Sequence, residues 1–183
     1  MFYTVKAPWL IRKLYPTFTW EKPATEKIIY LTFDDGPHPV ATPFVLDQLR
    51  QYDAKATFFC IGKNVVEHPG IYRRILDEGH RVGNHTFKHL NGWKTGNQQY
   101  FEDIYAASKF IDSNLFRPPY GRITRFQAKL LQQQKEGRPP FSIIMWSVLS
   151  GDFDVQLTPE ACLKNVVLSI KPGSIVVFHD SAK

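Results

Sequence analysis

Apolar segments alternate with amphipathic segments along this chain, and that alternation restricts the fold more than any other feature. The apolar segments are rich in β-branched and aromatic residues and are predicted to be buried strands, at about 28–34, 56–62, 80–84, 141–146 and 174–180. Helical spacing predicts helices between them, at about 43–52, 71–79, 97–113, 124–135 and 159–170. Strands and helices in this order form a parallel sheet that is covered on both faces, either open or closed into a barrel.

The size and composition are those of one globular domain. The chain has 183 residues, of which 43% are hydrophobic and 22% are charged. Its net charge of +6 comes from cations that are scattered rather than grouped, so no nucleic-acid partner is expected. Cys60 and Cys162 both lie in apolar segments far apart in the sequence, so we expect two small core residues and no disulfide framework.

The first 27 residues precede the first strand and are predicted to be an N-terminal arm that packs on the domain. The head, 1–20, mixes aromatic residues with Lys6, Arg12 and Lys13, and it lacks the apolar region and cleavage site of a signal peptide. No apolar run reaches the length of a transmembrane helix. These features predict a cytoplasmic protein, with peripheral association with the cell envelope through the aromatic, basic head as the alternative.

Polar residues occur where the predicted strands end. Asp34 and Asp35 terminate the first strand, His85 and His89 follow the third, and His179 ends the last. In parallel α/β folds the ligand site lies at the carboxyl ends of the strands. Two adjacent carboxylates there are costly unless a metal ion or a buried arginine neutralises them. Taken alone, the Asp-Asp-Gly sequence favours the simpler interpretation of a solvated turn.

The spacing of His85 and His89 places both imidazoles on one face of a helical turn, which is a frequent zinc-binding geometry. A histidine pair by itself is more often structural or on the surface. With Asp35 as a third ligand, the set leaves one coordination position open for water, as in catalytic zinc sites. Together these residues predict a divalent metal site, with zinc as the expected ion.

Four more residues could take part in catalysis at such a site. Asp34 would be the general base for a metal-activated water, and His179 would supply a proton to the leaving group. Arg117 would orient Asp34, and Asp152 would set the tautomer and charge of His179. Each also has a simpler interpretation: a hydrogen-bonded core histidine for His179, a surface arginine for Arg117 and a loop residue for Asp152.

Five segments together resemble the ordered motifs of the polysaccharide deacetylases, the NodB-homology domain of carbohydrate esterase family 4. They are, in chain order, Thr32-Phe33-Asp34-Asp35-Gly36, His85-Thr86-Phe87-Lys88-His89, Arg117-Pro118-Pro119-Tyr120-Gly121, the segment from Trp146 to Phe153, and Val177-Phe178-His179. The resemblance covers about residues 28–180 and places the domain at 28–183. It implies a distorted, incomplete (β/α) barrel of parallel strands, with the site at the C-terminal ends of the strands.

The resemblance also implies metal-dependent removal of acetyl groups from N-acetylated sugars of a glycan or glycoconjugate, with release of acetate. By this resemblance Asp34 is the general base and His179 the general acid. Arg117 orients Asp34, Asp152 tunes His179, and the backbone N–H of Tyr120 helps to stabilise the oxyanion. The divalent metal, usually zinc, has three protein ligands: Asp35, His85 and His89.

Three features depart from the family pattern. The fourth motif here reads Leu149-Ser150-Gly151-Asp152-Phe153, which keeps one of the usual two aspartates and has phenylalanine in place of tryptophan. The fifth has Val177 in place of the more common leucine or isoleucine. The chain also stops four residues after His179, where the family usually adds a closing helix. We therefore expect the outer face of the last strand to be uncovered, unless the head or a second subunit in a dimer covers it.

The predicted function is thus that of a metal-dependent N-deacetylase whose partner is an N-acetylated carbohydrate. Two alternatives use the same site: deacetylation of another small amide or of an O-acetyl ester, and carbohydrate binding by a domain whose catalysis is weakened. Acetate release from N-acetyl and O-acetyl substrates, with and without a chelator, distinguishes the three.

Overall fold

The computed structural model describes residues 3–133 and 139–181. Within these ranges the helices are α1 (Trp9–Leu14), α2 (Ala41–Gln51), α3 (Gly62–Glu67), α4 (Pro69–Asp77), α5 (Asn97–Ala107), α6 (Arg125–Leu131) and α7 (Pro159–Val167). The strands are β1 (Tyr30–Asp34), β2 (Ala56–Cys60), β3 (Arg81–Asn84), β4 (Leu115–Phe116), β5 (Ser142–Ile143), β6 (Val148–Leu149) and β7 (Ile175–His179). A single 3₁₀ turn covers Pro119–Gly121.

The seven strands form one parallel sheet in the order β5-β4-β3-β2-β1-β7-β6. The two edge strands are consecutive in sequence, and only residues 144–147 separate β5 from β6. A connection of this length spans at most about 18 Å, so the two edges of the sheet lie near each other. The sheet is therefore curled, and the predicted incomplete (β/α) barrel is confirmed.

The segment before β1 lies against the connection between the two edge strands. The N–H of Leu149 donates to the carbonyl of Val5, and the N–H of Met145 donates to the carbonyl of Thr19, both over 2.8 Å. Phe18 and Trp20 are buried in the same core cluster as the side chains of α5 and α6. The segment thus supplies both backbone hydrogen bonds and core side chains to the barrel. The boundary between residues 27 and 28 stays a prediction.

Most predicted elements are present with shifted ends, but the sequence pattern did not reveal α1, α3, β4 or β6. The predicted strand 141–146 is strand only at β5. Beyond β5 the Ile144 N–H still donates to the Phe116 carbonyl over 2.8 Å, but the Met145 N–H donates to Thr19 instead. The Arg117 side chain takes the carbonyls of Ile144 and Met145, over 3.1 and 3.0 Å. The last two residues of the predicted helix 124–135 lie outside the described residues.

The expected uncovered face of the last strand is not found. β7 lies between β1 and β6, and Ile175, Val176 and Val177 are all buried. Val166 of α7 belongs to the same core cluster as Val176, and Val5 of the N-terminal segment packs against that cluster. Of the two alternatives, coverage by the N-terminal head is therefore the one that the structure shows, together with α7, and no second subunit is needed to cover this face.

Two smaller expectations concern cysteines and membrane spans. Cys60 is buried as predicted, but Cys162 is only partly buried, because α7 contributes little more than Val166 to the core. None of the helices in the described ranges has the length and apolar character needed to cross a bilayer.

Candidate active site

The first strand ends in two carboxylates, and the backbone turns between them. Asp34 is the last residue of β1 and is 4% exposed, whereas Asp35 has a φ of 80°. Aspartate tolerates positive φ better than most residues. The Asn64 side-chain amide fixes the turn by donating to the Asp35 carbonyl over 2.7 Å. In a regular strand, neighbouring side chains point to opposite faces of the sheet. The turn ends this alternation, so the side chains of Asp34 and Asp35 both find partners at the C-terminal end of the barrel.

A buried carboxyl that sequence reasoning missed supports this turn. Asp180 accepts a hydrogen bond from the Gly36 N–H over 3.1 Å and one from the Thr42 hydroxyl over 2.6 Å. A Cβ at Gly36 would collide with the Asp180 carboxylate, so only glycine fits there. Burial raises the pKa of Asp180 to about 7 against the opposing effect of its hydrogen-bond donors, and the nearby charge of Asp34 also raises it.

The segment from His85 to His89 is not the helical turn that its spacing predicts. Thr86 and His89 have φ values of 63° and 58°, which no helix accommodates. Asp103 of α5 holds this loop, because its carboxylate accepts two backbone N–H groups of residues 87 and 88 over 2.8 and 2.9 Å. The predicted helical geometry is wrong, yet the loop still brings both imidazoles to Asp35.

Asp103 was also missed, although the sequence contains a signal for it. Asp103 lies on the buried side of α5 together with Tyr100, Ile104 and Ala107. An acid within an apolar stripe at helical spacing is costly unless the structure gives it hydrogen-bond donors. For Asp180 the only comparable signal is its position directly after a buried strand.

The side chains of Asp35, His85 and His89 converge on one point. The Nε2 atoms of His89 and His85 lie 3.1 and 3.6 Å from Asp35 Oδ1. One ligand atom from each of the three residues can be chosen so that all lie within 4.8 Å of one another. Ligand atoms about 2.1 Å from a tetrahedral zinc ion are about 3.4 Å apart, so this set fits such an ion. Two histidine nitrogens and one carboxylate oxygen are also ligands that zinc commonly has.

Both imidazoles are oriented through their Nδ1 atoms. His85 Nδ1 lies 2.7 Å from the carbonyl oxygen of Arg117, and His89 Nδ1 lies 3.1 Å from the Tyr120 hydroxyl. A carbonyl only accepts, so His85 holds a proton on Nδ1 and in its neutral form presents an unprotonated Nε2 to Asp35. This is the tautomer that a metal ligand needs.

Asp35 has the charge expected of a ligand. Burial would raise the pKa of this carboxyl, but hydrogen bonds and charge from His85 and His89 in their protonated forms hold the pKa well below its usual range. The group is therefore anionic at neutral pH, as a carboxylate ligand must be.

Arg117 lies in the barrel interior with no exposed surface. Its Nη1 donates to Asp34 Oδ1 over 2.7 Å and to Thr32 Oγ1 over 2.8 Å, and its guanidinium carbon lies 4.1 Å from the centre of the Phe59 ring. Burial lowers the pKa of Arg117, and the charge of Asp34 opposes this effect. The interpretation as a surface arginine is wrong, and the structure brings Arg117 and Asp34 together.

His179, at the end of β7, is held by Asp152. Its Nδ1 lies 2.7 Å from Asp152 Oδ1, and its backbone N–H donates to Asp152 Oδ2 over 2.6 Å. Burial would raise the pKa of Asp152, but the contact with His179 lowers it below its usual value. The Phe153 ring lies edge-on to the His179 ring, with 5.5 Å between centroids. The altered fourth motif thus still places a carboxylate on this histidine.

Tyr120 lies in a strained turn beside the metal-ligand cluster. Its φ is 59°, and its ring centre lies 4.6 Å from that of His89. Gly121 follows with a φ of 65°, and a Cβ there would lie 2.6 Å from the Trp146 ring. The turn is therefore fixed between Trp146 and His89, and it holds the Tyr120 backbone next to the site.

The base and acid predicted from the sequence are neighbours in the sheet. Asp34 and His179 are register partners on β1 and β7, and the N–H of Asp180 donates to the Asp34 carbonyl over 3.1 Å. All eight predicted site residues lie at or just after the C-terminal ends of strands: Asp34, Asp35, His85, His89, Arg117, Tyr120, Asp152 and His179. The roles assigned to them stay predictions.

Comparison with known proteins identifies the family. The family model for polysaccharide deacetylase matches residues 21–136. The chain belongs to the polysaccharide deacetylase family. This polysaccharide deacetylase is 41% identical over 180 residues to a peptidoglycan-N-acetylglucosamine deacetylase of Bacillus cereus, across 93% of this chain and 82% of that protein.

Two further relatives support the same assignment. A chitooligosaccharide deacetylase of Azorhizobium caulinodans is 37% identical over 160 residues, which are 83% of this chain and 73% of that protein. The crystal structure of the Bc1960 peptidoglycan N-acetylglucosamine deacetylase, in complex with a substituted N-oxidanyl-benzamide, superposes with a TM-score of 0.84 at 33% identity. That superposition covers 94% of this polysaccharide deacetylase and 80% of the other chain.

Proposed function

We propose that this polysaccharide deacetylase hydrolyses the acetamide of N-acetylglucosamine residues in a glycan, with zinc as its metal. One observation is central to the proposal: a cluster of two imidazoles and a carboxylate lies beside an arginine-held carboxylate and an aspartate-held imidazole. The names of the relatives support the sugar, because one is named for the N-acetylglucosamine of peptidoglycan and the other for chitooligosaccharides, which are oligomers of N-acetylglucosamine.

Asp35, His85 and His89 would hold the ion, and three protein ligands are the number that catalytic zinc sites commonly have. A zinc ion bound there would lower the pKa of a water molecule and polarise the acetamide carbonyl.

Asp34 would accept the proton of the attacking water. Its carboxylate is positioned by the hydrogen bond from Arg117. The guanidinium of Arg117 is in turn held by its hydrogen bond to the Thr32 hydroxyl and by its contact with the Phe59 ring. Because the guanidinium is fully buried, it has little freedom to move away from Asp34. A general base must lie within hydrogen-bond distance of the water whose proton it removes. A carboxylate held in one position at the end of β1 suits this role.

His179 would protonate the departing amine as the carbon–nitrogen bond breaks. Asp152 accepts the Nδ1–H of the imidazolium, so Nε2 is the nitrogen that donates. The proton removed from water and the proton given to nitrogen balance, and the products are acetate and a free amino sugar. The Tyr120 N–H would stabilise the charge that develops on the carbonyl oxygen.

The test is acetate release from an N-acetylated chitooligosaccharide by zinc-loaded protein, by the same protein after chelation, and after zinc is restored. We expect release, loss and recovery. Release from an O-acetylated sugar alone would show an esterase instead. Binding of the oligosaccharide without any acetate release from the zinc-loaded protein would show a carbohydrate-binding domain.

The cellular location is independent of this chemistry. The cytoplasmic location expected from the sequence stays a prediction, and fractionation of cells that express the untagged chain would test it. The oligomeric state is likewise open to measurement by light scattering.

A further inference from the structure

Helix α1 presents an apolar surface to solvent. The exposed fractions of Trp9, Leu10, Ile11 and Leu14 are 66%, 55%, 42% and 48%, and no residue of the helix is buried. Four large apolar side chains thus lie exposed within six consecutive residues. Scattered exposed apolar residues are ordinary, but a contiguous patch of this kind is typical of an interaction site.

The exposure of α1 is not the result of a loose chain end, because both flanks are attached to the barrel. On the N-terminal side the Ala7 N–H donates to the Ser147 carbonyl over 3.2 Å. On the C-terminal side Phe18 and Trp20 are buried in the core. Arg12, the one partly buried residue of the helix, pairs with Glu21 over 2.7 Å. The barrel therefore holds the apolar side chains outwards.

The charged residues within the segment 1–20 are all basic. Residues 1–20 contain Lys6, Arg12 and Lys13 and no acidic residue. Arg12 is neutralised by Glu21, but Lys6 and Lys13 are exposed. The Lys13 ammonium lies 4.7 Å from the Trp9 ring centre, which places a cation and an indole side by side at the surface.

We propose that α1 is a membrane-docking element that binds the surface of an anionic lipid bilayer. Trp9, Leu10, Ile11 and Leu14 would enter the boundary between headgroups and acyl chains, and Lys6 and Lys13 would contact lipid phosphates. Tryptophan and lysine both favour this interfacial layer, and apolar contact together with basic charge is what gives peripheral binding its strength. The positive charge favours a lipid surface over a second copy of this basic chain, because two copies would repel each other.

Sedimentation with vesicles tests the proposal. The full chain is mixed with vesicles of phosphatidylcholine alone or with a large fraction of phosphatidylglycerol, at low and high salt. We expect binding to the anionic vesicles, at least about tenfold weaker binding to phosphatidylcholine, and weakening by salt. Equal binding to both vesicle types, or no binding to the anionic vesicles, would overturn the proposal.

Double variants test whether α1 and its lysines are the surface that binds the vesicles. Leu10→Ser with Leu14→Ser, and separately Lys6→Gln with Lys13→Gln, should each weaken anionic-vesicle binding by about tenfold or more. The matched controls are Phe44→Ser with Tyr52→Ser, which removes exposed apolar side chains on and after α2, and Lys109→Gln with Lys129→Gln. The controls should bind as the unaltered chain does. A loss in the controls equal to that in the α1 variants would contradict a specific docking surface.

Acetate release and molecular mass distinguish membrane docking from a change in catalysis or in self-association. All variants should release acetate from a dissolved chitooligosaccharide at the unaltered rate, since every altered side chain is exposed and none belongs to a predicted site residue. Light scattering should show one mass that does not change with concentration. A mass that rises with concentration and falls back in the Leu10→Ser, Leu14→Ser variant would show that the patch joins two copies, and would overturn the membrane proposal.

Discussion

Arg117 and Asp34 form an ion pair inside the barrel, with 2.7 Å between Nη1 and Oδ1 and almost no solvent exposure of either side chain. The guanidinium also donates to the Ile144 and Met145 carbonyls, so one side chain joins the site to the segment between the edge strands. The pair thus belongs to both the candidate active site and the wall of the barrel.

Replacing Arg117 should therefore reduce stability as well as rate. Arg117→Ala leaves Asp34 buried without its cation, and breaking a buried pair in this way costs about 3–5 kcal/mol of unfolding free energy. Arg117→Lys should also fail, because one ammonium cannot make the same hydrogen bonds. Chemical denaturation and acetate release measure the two effects, with the exposed Arg50→Ala as control. An Arg117→Ala protein with unchanged stability would show that the pair is not needed.

Asp34→Asn should separate the base from the metal ligands. The amide cannot accept the proton of water, so kcat should fall by about 10²–10⁴ while the zinc content stays the same. Zinc analysis and acetate release on the same sample give both numbers, and the exposed Asp47→Asn is the control. Loss of zinc from Asp34→Asn would mean that the two carboxylates have been assigned the wrong roles.

His89→Ala should remove zinc. His89 Nε2 lies 3.1 Å from Asp35 Oδ1, and no other histidine in the described ranges than His85 joins this cluster. With two ligands left, the ion should be lost on dialysis, as elemental analysis would show. His68→Ala, outside the cluster, should keep one zinc per chain. Full zinc content in His89→Ala would rule it out as a ligand.

Asp103→Ala should weaken metal binding although Asp103 is not one of the proposed metal ligands. Its carboxylate accepts two backbone N–H groups of the loop that positions His85 and His89. Loss of such a supporting contact typically costs about 10–100-fold in metal affinity. Competition with a chromophoric chelator measures the change, and Glu102→Ala, the exposed neighbour on the same helix, should leave it unchanged. Equal affinities in the two variants would contradict a supporting role.

Asp180 should make stability depend on pH. Its pKa is raised to about 7 in the folded chain, against about 3.9 in an unfolded one, so folding favours the protonated carboxyl. Its contribution is complete below about pH 4 and is lost as the pH rises through 7, by up to about 4 kcal/mol. The difference in unfolding free energy between the chain and Asp180→Asn, measured with chelator present, should follow this curve. Parallel curves from pH 4 to 7 would contradict it.

Sequence reasoning found what is encoded locally. The strand ends could be predicted because apolar runs stop at polar residues, and Asp34, Asp35 and His179 lie at such stops. The loop from His85 to His89 could not, because its shape depends on positive φ values and on Asp103, a residue from another element. The position of the N-terminal segment on the barrel could not be predicted either, because its backbone hydrogen bonds to residues 143–149 leave no periodic pattern in the sequence.

The position of the N-terminal segment determines when the barrel can be completed. Val5, Ala7 and Thr19 are each separated from their backbone partners between Ile143 and Leu149 by more than 120 residues of sequence. The separation is larger still for Lys22, whose N–H donates to the carbonyl of Gly173. Pairings so distant in sequence form slowly. The backbone of residues 5–22 therefore cannot make these hydrogen bonds until residues 143–173 have been synthesised, and completion of the barrel depends on these slow contacts.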